Sequence, residues 1–147
     1  MSDEEYMEIA YLEALKALKE DEVPIGAIIV KNDKIIAKSY NQRENKNQVI
    51  AHAEISAIQK ACTYLNSWRL DDCTLYTTLE PCLMCSGAII QSRIKRVVYG
   101  ASADKWLSLN KIITLPDRNI NHVPVIDKGV LQEKCVQLIK NYFKNKR

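Results

Sequence analysis

His52-Ala53-Glu54, followed after a gap by Pro81-Cys82-Leu83-Met84-Cys85, decides how this chain must fold, because these residues gain a chemistry only if two separate segments meet. One imidazole and two thiolates make three protein ligands for a zinc ion, and the carboxylate two residues past the histidine is left over for proton transfer. A structural zinc normally closes its tetrahedron with a fourth protein ligand. Three ligands leave a position for water, whose pKa falls from ~15.7 to roughly 7 on zinc. The composition is that of a catalytic site.

The spacing carries geometry. Cys82 and Cys85 stand three apart, so on a helix beginning near Pro81 both sulfurs leave one face of the first turn. Proline suits that start, and the positive end of the helix dipole favours both thiolates. His52 and Glu54 are two apart, about 200° around a helix, so they can share a metal only where the chain is still turning into a helix.

Working outward, Ser2 and Glu5 form a capping box ahead of Met7, Ala10, Tyr11, Ala14 and Leu18, which recur at helical spacing. Ile25 to Val30 and Ile35 to Tyr40 are apolar runs joined by Lys31-Asn32-Asp33-Lys34, a hairpin pattern. The polar stretch from Asn41 to Gln48 reads as a loop. A helix is expected from Ala51 to Tyr64, a strand from Thr74 to Leu79, a helix from Cys82 to Ser92 and a strand from Arg96 to Tyr99. After Gly129, the residues Leu131, Cys135, Leu138, Ile139 and Tyr142 mark an amphipathic final helix. Strand, helix and strand in short succession predict parallel pairing with crossover helices, hence an α/β chain with a mixed sheet covered by helices.

Competing readings exist for each part. A single Cys-x-x-Cys is also the pattern of a redox pair, and free cysteines are often small buried apolar residues. Neither reading needs a His-x-Glu partner; the joint pattern H-x-E with P-C-x-x-C is the signature of zinc-dependent base deaminases.

Three runs carry a family resemblance: Glu22-Val23-Pro24-Ile25-Gly26-Ala27, Ala51-His52-Ala53-Glu54-Ile55, and Leu75 through Ile90 with its Thr78-Leu79-Glu80-Pro81-Cys82 core. With Ser92-Arg93-Ile94 and Val97-Val98-Tyr99-Gly100-Ala101, they resemble the bacterial tRNA-specific adenosine deaminases of the TadA type, in the zinc-dependent cytidine/deoxycytidylate deaminase superfamily. The likeness covers roughly residues 5 to 101 and 121 to 147. It implies a single deaminase domain over residues 1–147, with the three-layer α/β/α cytidine deaminase-like fold and a mixed central sheet. It implies one Zn2+ per subunit on His52, Cys82 and Cys85, with Glu54 as catalytic acid and base. By the same resemblance Asn41 hydrogen-bonds the flipped base, Pro24 and Gly26 bring backbone close beneath it, and the Ala53 amide contacts the ring. Asn41 is equally a common turn residue at a strand end. A homodimer is expected, in which the neighbouring subunit helps to build the substrate groove.

Net charge is only +3, but eight acids against two lysines in residues 1 to 22 leave +9 on the rest. Lys140, Lys144, Lys146 and Arg147 crowd the last helix around Tyr142 and Phe143, and basic groups among aromatics can meet phosphates and stack on bases. Cations that suit a helix C-terminus are the competing reading. The resemblance tips the choice to RNA, making Arg93, Trp106, Tyr142, Phe143, Lys144, Lys146 and Arg147 candidate contacts. Trp106 reads as a stacking or a core residue. Cys62, Cys73 and Cys135 lie in apolar patterns and read as reduced core residues. His122 is expected away from the metal, and Glu80 is expected to support the cysteine turn by capping. No apolar run approaches a membrane span, and the acidic Ser2-Asp3-Glu4-Glu5 is unlike a signal peptide, so a cytoplasmic protein is expected.

Two segments depart from the family. Gln48-Val49-Ile50 replaces its usual Asp-Pro-Thr, and Ser102-Ala103-Asp104-Lys105-Trp106-Leu107 has no glycine and shifts an acid by one place. The favoured function is deamination of the wobble adenosine in a tRNA anticodon loop. A deaminase of a free base or nucleoside, guanine or cytosine, is the alternative, and a non-catalytic zinc-stabilised RNA-binding module the third reading. The unligated Glu54 argues against the last.

Overall fold

Ser2 opens the first helix, α1 (Asp3–Lys19), with a complete capping box: its hydroxyl accepts the Glu5 N–H at 3.2 Å and the Glu5 carboxylate takes the Ser2 N–H at 3.1 Å. The computed structural model describes residues 1–116 and 119–146. The hairpin pairs β1 (Gly26–Lys31) with β2 (Lys34–Tyr40), and its two turn residues, Asn32 and Asp33, adopt φ of 51° and 60°. Such left-handed pairs match the twist of the flanking strands, and Asn and Asp tolerate them. Then follow α2 (Arg43–Lys46), α3 (Ala53–Leu65), β3 (Cys73–Leu79), α4 (Leu83–Ser92), β4 (Arg96–Ala101), α5 (Leu109–Ile113), β5 (Val125–Lys128) and α6 (Gln132–Asn145).

The sheet order is β2-β1-β3-β4-β5, with β1 antiparallel to β2 and β3, and β3, β4 and β5 mutually parallel. The C-terminal ends of β2, β3 and β4 therefore meet at one edge, beside the start of β1. Open sheets bind ligands at such an edge.

Alternation along the strands sorts the core into two layers. Ala27 and Ile29, Cys73 and Leu75, and Val97 and Tyr99 face Ala53, Ala57, Ile58 and Ala61 of α3 and Ile89 of α4. Ile28, Val30, Tyr76 and Val98 face Tyr6, Met7 and Ala10 of α1 and Cys135 of α6. The period-2 switch makes three layers out of one sheet. Two glycines allow the helices on the second face to sit close. A Cβ on Gly26 would stand 2.0 Å from the Ala10 carbonyl oxygen, and one on Gly100 would stand 2.5 Å from the Cys135 sulfur.

Three elements were not anticipated. The expected loop after Asn41 contains α2, and α5 and β5 fall in segments without a clear periodic pattern. All five cysteines are free; Cys73 and Cys135 are buried as expected, whereas Cys62 is half-buried at the margin of its layer. Among the described residues no helix is long and apolar enough to cross a membrane.

Candidate active site

His52 is the N-cap of α3 and Cys82 the N-cap of α4, both extended (ψ 151° and 179°), and neither side chain caps its own helix. Side chains that would ordinarily satisfy backbone amides instead face each other across the gap between the two helix starts. Cys85, in the first turn of α4, joins them: His52 Nδ1 lies 3.7 Å from Cys82 Sγ and 3.5 Å from Cys85 Sγ. A tetrahedral zinc with Zn–S near 2.3 Å and Zn–N near 2.05 Å requires an S···N edge of about 3.6 Å. The donors fit the ion in type and in spacing. All three donor atoms lie within 4.8 Å of one another, and no fourth donor joins them among the described residues. His122 is elsewhere, its Nε2 2.7 Å from the Ile94 carbonyl oxygen.

Protonation follows the same contacts. Cys82 is held down to about 4, first because the Cys85 thiol donates to it, with His52 adding to the effect. Cys85, as donor to that thiolate and as a buried group, is pushed up. The His52 imidazole is raised, chiefly by its bond to Cys82. The triangle shares its protons among its three members, and a bound cation would displace them. Glu54, one residue into α3, is 4% exposed. Burial pushes its carboxyl up to about 7, against the opposing pull of its own backbone amide and of His52.

A cleft of about 240 Å³ reaches His52, one of the three donors, and is lined by Val23, Ile25, Asn41, Arg43, His52, Ala53 and Phe143. Asn41, directly after β2, is fixed from both ends of its amide: Nδ2 donates to the Val23 carbonyl at 3.2 Å and Oδ1 accepts the Arg43 N–H at 3.2 Å. Pro24 and Gly26 alternate with the lining residues. Both are buried, and Gly26 turns its Cα toward α1, so the cleft wall here is Val23 and Ile25. Glu22, fully buried, accepts the Glu44 and Asn45 amides at 3.1 and 2.8 Å and so caps α2 beside the cleft.

A second groove, of about 510 Å³, shares Val23 and Phe143 with the cleft and runs between residues 101 to 106 and α6. Trp106 stands on its wall, 75% exposed, so the core reading of this tryptophan does not hold. Glu80 does not cap the cysteine helix. Its two oxygens accept the amides of Ala103 (3.0 Å) and Asn110 (2.8 Å), tying the groove wall and the first turn of α5 instead.

The remaining candidates separate. Phe143 reaches both cavities. Tyr142 turns toward the end of α1, its hydroxyl 3.4 Å from the Asp21 carbonyl oxygen, and Lys146 pairs with the Asp21 carboxylate at 2.6 Å. Lys144 is exposed on α6, and Arg147 lies outside the described residues. Arg93 sits at the far end of α4 from the cysteines, its guanidinium donating to the Ile90 and Gln91 carbonyls at 2.9 and 3.3 Å. Local patterns give no signal for the roles that Glu22 and Glu80 take: each is an acid flanking a motif, and Glu80, expected at the cysteine turn, holds the groove wall instead.

Sheet, donor triangle and buried carboxyl together define a deaminase, and the family model of the MafB19-like deaminases matches residues 1–147. The tRNA-specific adenosine deaminase of Bacillus subtilis (strain 168) is 44% identical over 146 residues, covering 99% of this chain and 91% of its own. A solved structure from work on A-to-I editing by tRNA:A34 deaminases at the wobble position of transfer RNA superposes with a TM-score of 0.85 at 39% identity, covering 91% of this chain and 98% of that one. A guanine deaminase structure from Bacillus subtilis is 36% identical over 96% of this chain and 95% of that one, with a lower TM-score of 0.67. Within the MafB19-like deaminases, the chain belongs to the tRNA-specific adenosine deaminases.

Proposed function

We propose that this chain converts adenosine to inosine at the wobble position of a tRNA anticodon loop, with one zinc ion per subunit on His52, Cys82 and Cys85. The observation that carries the reading is a triangle of one nitrogen and two sulfurs at tetrahedral spacing beside a buried carboxyl that is not part of it. Zinc held there supplies the Lewis acidity that brings the pKa of a water near 7. Glu54, poised near neutrality by burial, both accepts and returns protons in that range. It takes a proton from the attacking water and passes it to the ring nitrogen, then takes the second proton from the added hydroxyl and passes it to the departing amine, so that ammonia leaves and a carbonyl remains. Asn41, with one N–H and one lone pair of its amide already spent, keeps one of each for the base edge. The Ala53 amide, in the first turn of α3, is available to the ring.

An anticodon loop is single-stranded and releases a base at modest cost, which suits a cleft this narrow. Phe143, Trp106 and Lys140 then meet the strand outside the cleft. The working unit is a homodimer: Val49 and Ile50 just before His52, and Leu83 just after Cys82, are exposed apolar side chains at the rim that a second copy covers. Such a substrate makes the cytoplasm the place of work.

Incubation with an anticodon stem-loop, free adenosine, guanine and cytosine, with inosine and ammonia followed, tests the reading. Inosine at the wobble position is expected; ammonia from a free base alone overturns it. Light scattering is expected to give twice 16.8 kDa, and a monomer retracts the dimer.

A further inference from the structure

We infer that Glu80 is a positioning residue for substrate selection: it sets the groove wall that carries Trp106, while leaving the donor triangle to the helix starts. The inference rests on the reading above that an RNA strand enters this groove. Glu80 is 5% exposed and follows β3, one residue before Pro81 and two before Cys82. Its backbone N–H donates to the Ala101 carbonyl at 2.8 Å, where the wall begins, and the Leu109 N–H donates to the Pro81 carbonyl at 3.1 Å, where it ends. Between these anchors one carboxylate holds both sides of the segment, Ala103 through Oε1 and Asn110 through Oε2. The Ser108 hydroxyl, also buried, closes the interior by donating to the Ala103 carbonyl at 3.2 Å.

Without Glu80 the segment keeps its ends and the bonds of the Ser108 hydroxyl and the Trp106 N–H to the Ala103 carbonyl, but loses the carboxylate that ties Ala103 to Asn110. A carboxylate taking two backbone amides makes charge-assisted bonds that neutral groups replace poorly, and the Ser108 and Trp106 bonds left within the segment are neutral ones. Trp106 and Lys105 ride on that segment and line the groove. The donors do not: Cys82 and Cys85 are fixed by α4, whose first turn is closed by the Ser86 N–H to the Cys82 carbonyl at 2.8 Å and by the Ser86 hydroxyl to the Pro81 carbonyl at 3.2 Å. Loss of Glu80 should therefore loosen substrate binding without disturbing the chemistry.

The test compares the wild type with Glu80→Ala and Glu80→Gln. Zinc content, KM and kcat on an anticodon stem-loop, and hydrogen exchange of the 101–110 amides are measured. Glu80→Ala is expected to raise KM roughly ten-fold with kcat within about two-fold, the pattern of lost uniform binding. Zinc per chain stays constant and the Ala103 and Asn110 amides exchange faster. Glu80→Gln keeps one acceptor oxygen and falls between the two, and it carries the test if the alanine variant fails to fold. An unchanged KM with deprotected amides overturns the inference. So does loss of zinc or of kcat at constant KM, which would return Glu80 to the cysteine turn. A wild type that leaves the stem-loop unedited sinks the functional reading instead, and hydrogen exchange still reports on the clamp.

Discussion

At the donor corner, α3 and α4 give up their own N-cap side chains to the metal position, so the chemistry stands on backbone that two helices hold; the neighbouring groove is walled by a segment that borrows its shape from Glu80 and by one face of α6. The corner draws its rigidity from regular structure. The wall is irregular, and it is anchored through Glu80 and not through the donors. A catalytic constellation wants its atoms held to fractions of an ångström, which helix starts supply, whereas selection among substrates is the work of loops on such a scaffold.

The largest effect expected lies at the corner. Glu54→Ala removes a carboxyl that contacts Cys85 but is not one of the three donors, so zinc content should be retained while turnover falls by ~10²- to 10⁴-fold. Metal analysis and single-turnover kinetics on the same preparation measure both. Turnover at the wild-type rate would take proton transfer away from Glu54, and loss of zinc would merge the acid with the donor set.

The same division governs what could be read from the sequence. His52 and Glu54, two apart, had to lie at the start of a helix, and the structure puts His52 at the N-cap; Cys82 proved to be the N-cap where the first helical residue was expected. Ser2 with Glu5, the Asn32-Asp33 turn and the apolar stripe of α6 were legible because each is a local rule satisfied by residues a few positions apart. The short helices α2 and α5 were not, because their caps come from Glu22 and Glu80, 22 and 30 residues away in the chain. β5 was missed for another reason. It is four residues long at the sheet edge, mostly exposed, and shows no alternation. Arg93 was read from charge, yet its guanidinium is spent at the C-terminus of α4.

A smaller effect, confined to the wall, is expected from Trp106→Ala. Base stacking is worth ~1 to 3 kcal/mol, so KM for the stem-loop should rise by about 5- to 150-fold with kcat nearly unchanged. Arg93→Ala, at the far end of α4, should leave KM as it is. Steady-state kinetics of both variants distinguishes the regions. A fall in kcat for Trp106→Ala comparable to that of Glu54→Ala would erase the distinction between corner and wall.

The smallest effect concerns a place remote from both. Asp3 accepts Arg96 Nη1 and Nη2 at 3.0 and 2.6 Å and the Tyr76 hydroxyl at 2.7 Å, pinning α1 to the start of β4, the opposite end from Ala101. The Arg96 guanidinium holds the Asp3 carboxyl below the ordinary aspartate value of about 3.9. A carboxyl depressed on folding stabilises the fold above its unfolded pKa and loses that contribution as pH falls through the folded one. Asp3→Asn should therefore lower the denaturation midpoint at pH 7, and the gap to the wild type should close below about pH 4. The donor site is common to both proteins, so the difference between them isolates Asp3. A constant gap down to pH 3 would make the clasp one of shape and not of charge. A change in kcat or KM at neutral pH would mean that the far end of the sheet reaches the site, and that corner and wall are not the only parts that set it.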